Sequence, residues 1–239
     1  MVFMNEVSDF RGREIAFLGK DLFPYRGYCI GSNENLQTLQ KILKIREKPF
    51  NTYVTIAKYS EMPRFTLNPK QRWPQFKEWV KTRDETITSI DFMLDFDSDP
   101  TIQGLMLAWA DVQTALMMLN KILGEQTKYL TIWFSGNKGF HILGKCKVTT
   151  TAQDLIEKQI QIAKQLAPLC PTLDTGIYDT ARLRKLLGSI VYSKNFGKTR
   201  VIPVQDNKEF KALIRALKGK NPEQYFADKT LLRTNNITL

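Results

Sequence analysis

The feature that most constrains the fold is a short apolar segment that ends in alternating carboxylates and a proline. It covers residues 89–100 and reads SIDFMLDFDSDP. Side chains alternate between the two faces of a strand, so Asp95 and Asp97 are predicted to lie on the same face. The apolar Leu94 and Phe96 then face the buried side. Because hard divalent cations prefer oxygen ligands, the segment predicts a strand that carries a metal site.

A simpler interpretation of the same segment is a solvated turn, since acidic residues ahead of a proline commonly form one. Two neighbouring ionised carboxylates repel each other, and a fold keeps them where cations, solvent or protons relieve the repulsion. Asp91 and Asp99 share the alternation of Asp95 and Asp97, and we expect both to lie outside the site. The choice between a metal site and a turn depends on whether the rest of the chain contains further candidate metal-binding or phosphate-binding residues.

Composition predicts a packed protein with a polyanionic partner. The chain has 239 residues, of which 43% are hydrophobic, and a formal net charge of +11. Such a charge suits nucleic acid or an acidic membrane surface, and we expect nucleic acid. Neither a long apolar segment nor a signal-peptide pattern is present, which predicts an intracellular, cytoplasmic protein with no membrane partner. Cys29, Cys146 and Cys170 are widely spaced, so neither a disulfide framework nor a zinc site is expected.

Hydrophobic periodicity predicts a single α/β domain over residues 1–239, in which residues 205–239 form a last helix and a tail. Helices are predicted over residues 35–45, from about Pro74, and over residues 102–123, 151–166 and 206–217. Strands are predicted over residues 52–59, 87–96, 129–134, 140–143, 188–192 and 199–204. Residues 172–185 give no clear assignment.

The chain's single histidine, His141, follows a predicted turn over residues 135–139. That turn supplies a hydroxyl, two flexible glycines and a cation, which suit phosphate oxygens: Ser135, Gly136, Lys138 and Gly139. The turn is not a Walker-type loop, because the glycine spacing differs and a strand follows it. A structural role for a lone histidine remains an equal alternative.

A further carboxylate and two basic clusters follow in the last third of the chain. Asp174 comes after an apolar residue, and Asp179 competes with it for the same role. The basic clusters are Arg182, Arg184 and Lys185, and then Lys194, Lys198 and Arg200. Cations of this kind usually form a solvated surface. Next to a candidate metal ligand, however, they suit the phosphates of a nucleotide or of a nucleic-acid backbone.

Three motifs occur in a characteristic order: Asp95-x-Asp97, Ser135-Gly136-x-Lys138-Gly139-x-His141 and Leu173-Asp174. This order resembles the archaeo-eukaryotic primase superfamily, and above all the small catalytic subunit of archaeal and eukaryotic primases and the related primase-polymerases. The basic residues after the third motif and residues 13–17 also resemble that subunit, so the resemblance spans about residues 11–204.

The resemblance implies an α/β fold in which an RRM-like half carries the carboxylate strand and packs against a second α/β half. It implies that two divalent cations, Mg²⁺ or Mn²⁺, are bound by Asp95, Asp97 and Asp174. The nucleotide triphosphate would be bound by the second motif and the basic residues after the third: Ser135, Gly136, Lys138, Gly139, His141, Arg182, Arg184 and Lys185. The second basic cluster is the predicted template-binding set: Lys194, Lys198 and Arg200.

The implied activity is template-directed nucleotidyl transfer, with primer synthesis from nucleoside triphosphates on a single-stranded DNA template. The implied setting is the nucleoid, with an accessory primase subunit or helicase as a possible partner. Residues 98–134 hold no cysteine or histidine, so no structural zinc is predicted, and Lys138 stands where primases often have arginine. The alternatives are a repair-type polymerase that only extends primers, a two-metal nuclease, and a nucleic-acid-binding module without activity.

Overall fold

The computed structural model describes residues 3–4, 12–18, 24–29, 52–61, 69–147, 151–219 and 222–226. The fold is a mixture of helices and mainly antiparallel sheets, which confirms the α/β prediction. The predicted helix over residues 35–45 lies outside the described residues. The chain divides into two compact units, so the prediction of a single domain over residues 1–239 stays a prediction.

The elements follow one another in this order. The strands are β1 (Phe3–Met4), β2 (Glu14–Leu18), β3 (Pro24–Cys29), β4 (Thr52–Thr55), β5 (Ala57–Tyr59), β6 (Ile87–Asp97), β7 (Thr131–Phe134), β8 (Gly139–Lys147), β9 (Leu173–Asp174), β10 (Leu183–Lys185), β11 (Ile190–Ser193), β12 (Gly197–Arg200) and β13 (Ile202–Pro203). The helices are α1 (Pro69–Thr82), α2 (Ile102–Leu123), α3 (Ala152–Leu166) and α4 (Asn207–Lys218). Short 3₁₀ segments cover Arg83–Thr86, Gly124–Tyr129 and Ala167–Leu169.

The first unit comprises Met1–Phe92, Gly144–Gln161 and Ile177–Leu186. It contains the antiparallel sheet β10-β4-β2-β3, and β5 pairs with the beginning of β6. A charged cluster lies in its core. Asp91 binds Arg13 through Oδ1 and Arg184 through Oδ2, each at 2.7 Å, and all three side chains are buried. Pairing of this kind is what allows a charged side chain to be buried at all.

The second unit comprises Met93–Leu143, Ile162–Gly176 and Leu187–Leu239. Its sheet has the order β13-β7-β8-β6, and β9 pairs with the end of β6. Helix α2 packs its apolar face into the core of this unit, and Trp109 on that helix stacks on Phe210 of α4 with ring centroids 4.8 Å apart. Trp109 Nε1 also donates to Asn207 Oδ1 at 2.7 Å, which fixes the start of α4.

By length and composition alone, residues 102–129 are apolar enough to cross a membrane. The core helix of a soluble protein passes the same test. Here, Leu105, Ala108, Val112, Ala115 and Leu119 form a buried stripe at helical spacing along α2. The helix is therefore explained by the core of the second unit, and the absence of a membrane partner stays a prediction.

The structure confirms several elements at or near their predicted bounds. Helix α2 covers residues 102–123 as predicted, begins at the N-cap Thr101 and is followed by Gly124 with a φ of 55°. Strand β6 is one residue longer than predicted. Helix α3 is capped by Thr151, whose hydroxyl accepts from the amide of Asp154 while the Asp154 carboxylate accepts from the amide of Thr151.

Two segments that were each predicted as one continuous strand are two shorter strands in the structure, and the two parts pair with different neighbouring strands. The strand predicted over residues 52–59 breaks at Ile56, whose carbonyl accepts from Arg13 Nη1 at 2.7 Å and from the amide of Asp91 at 2.8 Å. The strand predicted over residues 199–204 breaks at Val201, because β12 before it pairs with β11 whereas β13 after it pairs with β7. In both cases long-range hydrogen bonds override a continuous local pattern.

Four further boundaries are also wrong, and one of them is the start of β11, which lies at Ile190 instead of residue 188. Helix α1 begins at Pro69 instead of near Pro74, which lies inside the helix and removes only one backbone donor. Residue 129 ends a 3₁₀ segment, so β7 begins later than predicted. Strand β8 continues to Lys147, four residues beyond the predicted end at residue 143. The segment without an assignment, residues 172–185, contains the short strands β9 and β10.

Candidate functional site

Three of the predicted carboxylates come together in the second unit at the end of β6. Asp95 on β6 is the register partner of Asp174 on β9, and the amide of Asp97 donates to the carbonyl of Thr172 at 2.8 Å. Directly opposed residues of an antiparallel pair present their side chains on the same face, and Asp97 follows Asp95 by two positions. Asp95, Asp97 and Asp174 therefore share one face. Asp179, the competing carboxylate, belongs to the first unit.

The position of β9 depends on Asp111, a buried residue of α2 that the sequence analysis missed. Asp111 Oδ2 accepts from the amide of Thr172 at 2.8 Å and from the Thr172 hydroxyl at 2.7 Å. Cys170 Sγ donates to the Asp111 carbonyl at 3.5 Å. These bonds hold the residues before β9, so that Asp174 falls opposite Asp95. A single carboxylate on the otherwise apolar face of α2 was the available signal.

A histidine and a lysine lie directly against the carboxylates. His141 on β8 places Nε2 3.3 Å from Asp95 Oδ1, and its side chain is 6% exposed. Lys138 Nζ lies 2.8 Å from Asp97 Oδ2, and its side chain is 48% exposed. His141 Nδ1 is buried and has no hydrogen-bond partner among the described residues. Buried polar atoms are normally paired, so Nδ1 is the ring nitrogen suited to a ligand.

The electrostatics of the site favour a bound cation. Burial raises the pKa of Asp97, the neighbouring Asp95 charge raises it further, and Lys138 and His141 act in the opposite direction. The hydrogen bond to Asp97 raises the pKa of Lys138 in turn. Asp97 stabilises the charged form of Lys138. For Asp97 itself, burial and the repulsion from Asp95 destabilise the charged form by more than Lys138 stabilises it. In the described part of the chain, the carboxylates of Asp95, Asp97 and Asp174 thus lie beside one lysine and one histidine.

The turn before His141 is held tightly against β6. The amide of Ser135 donates to the carbonyl of Gly139 at 2.9 Å, and the amide of Ser98 donates to the carbonyl of Lys138 at 3.0 Å. Gly136 has a φ of +86°, which favours glycine. A Cβ at Gly139 would lie 1.7 Å from the carbonyl oxygen of Phe96. The glycine therefore allows β8 to approach β6 and brings Lys138 to Asp97.

Among the residues that the structure describes, no group of three acidic, histidine or cysteine side chains is arranged to hold a metal ion as it stands. Asp97 faces Lys138, Asp95 faces His141, and Asp174 Oδ1 accepts from the amide of Gly176 at 2.8 Å. The donor chemistry nevertheless fits Mg²⁺ or Mn²⁺, because three carboxylates share one face and a cation would offset their repulsion.

The basic residues after the third motif belong to the first unit. Arg184 is 1% exposed and its Nε binds Asp91 Oδ2 at 2.7 Å, so it is a core residue and we no longer assign it to nucleotide binding. Its burial is explained by the carboxylate of Asp91, which the sequence pattern did not connect to it. The roles of Arg182 and Lys185 stay predictions.

The second basic cluster lies on the hairpin formed by β11 and β12. Lys194 is exposed, Lys198 Nζ lies 3.2 Å from Glu223 Oε2, and Arg200 Nη1 donates to the carbonyl of Gly188 at 3.0 Å. Their predicted contact with a template stays a prediction.

No known protein family matches this sequence, and no curated protein is similar to it. Among solved structures, the fold is similar to the polymerase domain from Mycobacterium tuberculosis ligase D in complex with DNA. The sequence identity is 13%, the TM-score is 0.41, and the match covers 79% of this chain and 62% of that chain. The chain thus spans less than two thirds of that structure, and so distant a likeness carries no argument about activity.

Proposed function

We propose that this chain is a nucleotidyltransferase of the archaeo-eukaryotic primase superfamily that synthesises primers on a single-stranded DNA template. The observation that carries the proposal is the register of β6 and β9, which places Asp174 opposite Asp95. It joins the first and third motifs, and β8 adds His141 from the second. The proximity of three motifs that are distant in sequence supports the proposal of a single site.

The carboxylates and the cations beside them have different roles in this proposal. Asp95, Asp97 and Asp174 would hold Mg²⁺ or Mn²⁺, which when bound activates the attacking hydroxyl and stabilises the leaving pyrophosphate. His141 faces Asp95 through Nε2, which leaves Nδ1 as the ring nitrogen that would bind a phosphate oxygen. Lys138 is half exposed and supplies positive charge to the same phosphates.

The basic turn distinguishes this proposal from a nuclease that uses the same carboxylates. Hydrolysis of a nucleic-acid strand leaves no pyrophosphate to neutralise. Lys138 and His141 both lie at the carboxylates, within 2.8 Å and 3.3 Å of them respectively. Two cationic or donor side chains at this position suit an incoming triphosphate, because negative charge develops on the pyrophosphate as it leaves.

The test supplies a single-stranded DNA template, labelled nucleotides and magnesium or manganese, without a primer. We expect products of defined length that disappear in Asp95→Ala and in Asp97→Ala. Asp99→Ala is the matched control, because Asp99 is exposed two residues beyond Asp97 and should keep activity. If the protein extends a supplied primer but makes no product without one, it is a primer-extending polymerase and the proposal of primer synthesis is wrong. Degradation of the template would favour a nuclease.

A further inference from the structure

The β11–β12 hairpin of the second unit has two different faces. Val191 pairs with Thr199, and both are buried. Tyr192 pairs with Lys198 on the opposite face, where Tyr192 is 55% exposed. Directly opposed side chains of an antiparallel pair lie about 5 Å apart at Cβ. The outer face therefore presents an aromatic ring beside a lysine.

The inner face of the hairpin rests on the turn that precedes His141. The Thr199 hydroxyl donates to the carbonyl of Gly136. A Cβ built at Gly136 would lie 2.5 Å from Val191 Cγ2, so the two segments are in close contact. The outer face is thus the side of the hairpin that points away from the turn with Lys138 and Gly139.

The tip of the hairpin is fixed as well. Ser193 Oγ accepts from the amides of Asn195 and Phe196, both at 3.3 Å. Asn195 Nδ2 donates to the carbonyl of Pro100 at 2.6 Å, just beyond the end of β6. A surface fixed in this way loses little conformational entropy when it binds a ligand.

The charge of the outer face is positive. Lys194 is exposed at the tip, and Lys198 pairs with Glu223, whose side chain is 55% exposed. An ion pair between exposed side chains contributes little free energy, so Lys198 can exchange Glu223 for a phosphate at small cost. A half-exposed tyrosine flanked by two lysines combines a stacking surface with backbone contacts.

We propose that this outer face binds single-stranded nucleic acid, with one base stacked on Tyr192 and the adjacent phosphates at Lys194 and Lys198. A base inside a duplex is stacked on both sides, so only an unpaired base is available to the ring. The identification of the bound strand as the template rests on the proposed function. The binding itself rests on the hairpin alone.

The experiment measures the fluorescence anisotropy of a labelled oligodeoxythymidylate of about 15 nucleotides, in EDTA and without nucleotide. We expect Tyr192→Ala to weaken binding about tenfold and Tyr192→Phe to retain it, because phenylalanine keeps the stacking surface. Lys198→Gln and Lys194→Gln should each reduce the slope of log affinity against log salt by about 0.7. Tyr129→Ala is the matched control, since Tyr129 is a partly exposed tyrosine of the same unit with Lys128 Nζ 5.2 Å from its ring centroid.

Equal binding by Tyr192→Ala and the wild-type protein would overturn the inference, as would an equal loss in Tyr192→Phe or Tyr129→Ala. A duplex of the same length that binds as tightly as the single strand would overturn it too. The outcome is separable from the proposed function. Primer synthesis with unchanged binding in Tyr192→Ala refutes the hairpin site alone, whereas Tyr192-dependent binding without nucleotide incorporation refutes the proposed activity alone.

Discussion

Strand β6 carries carboxylates in two contrasting environments. Asp91 in the first unit is fully buried, and each of its carboxylate oxygens has an arginine nitrogen at 2.7 Å. Asp95 and Asp97 in the second unit lie beside each other, and their pairing partners are one histidine and one half-exposed lysine. The sequence pattern Asp-x-x-x-Asp-x-Asp does not separate these environments, whereas the charge balance does.

The difference distinguishes a carboxylate that stabilises the fold from carboxylates that serve a site. At Asp91 two arginines neutralise one carboxylate, so no bound cation is needed to balance its charge. At Asp97 burial and repulsion raise the pKa, which shows that the folded protein holds this charge at a cost. Such a cost is common at functional sites. Four measurements test the contrast.

The largest effect is expected for activity at Asp95. Asp95→Asn should lower nucleotide incorporation about a thousandfold, which corresponds to about 4 kcal/mol of transition-state stabilisation. The melting temperature should stay the same or rise, because a repulsive charge is removed. Incorporation assays and thermal unfolding of the same preparation measure both. If Asp95→Asn instead unfolds more easily and keeps normal activity per folded molecule, Asp95 stabilises the fold as Asp91 does.

The opposite pattern is expected at Asp91. Asp91→Asn leaves Arg13 and Arg184 without their buried counter-charge, and we expect a loss of about 3–5 kcal/mol in the free energy of unfolding. Urea denaturation measures the change. Asp99→Asn is the matched control, because Asp99 is exposed on the segment just beyond the same strand. A loss below about 1 kcal/mol would remove the contrast between the two environments.

A smaller effect is expected where the fold supports the site from a distance. Asp111→Ala leaves the amide and the hydroxyl of Thr172 without their acceptor, which should cost about 2–3 kcal/mol. Because these bonds hold β9, incorporation should fall by more than the loss of folded protein explains. Thr172→Val keeps the amide bond and should have about half the effect on stability. An Asp111→Ala protein with normal activity per folded molecule would show that β9 is positioned by other contacts.

The smallest effect is the pH dependence of Asp97. Its pKa is raised in the folded protein, so the associated stability is present below the ordinary carboxyl pKa and is lost as pH rises through the raised value. The Asp97→Asn variant has no carboxyl at this position, so its stability does not fall for this reason as pH rises. Its melting temperature relative to the wild-type protein should therefore rise between about pH 4 and about pH 7. A difference that stays constant or falls across this range would contradict the raised pKa.

The parts of the fold that local sequence determines could be predicted. Helix α2 has an apolar stripe within its own residues and a glycine directly after its last residue, and the alternation that puts Asp95 and Asp97 on one face is likewise local. The parts that depend on distant partners could not be predicted. The register of Asp174 depends on a bond between residues 61 positions apart, and Arg184 is buried by a carboxylate 93 positions away. Strand β4 ends for the same reason, since Arg13 binds the Thr55 and Ile56 carbonyls.

Gly139 also limits how far this chain can vary during evolution. Even alanine there would place its Cβ 1.7 Å from the Phe96 carbonyl and force β8 away from β6, which would separate His141 from Asp95. Gly197, in contrast, has nothing within 4 Å of a Cβ and a φ of +68°, so asparagine is a tolerable replacement there. In a saturation library selected for activity, Gly139 should accept no replacement at all. A residue without any functional group is then among the least exchangeable positions of the site.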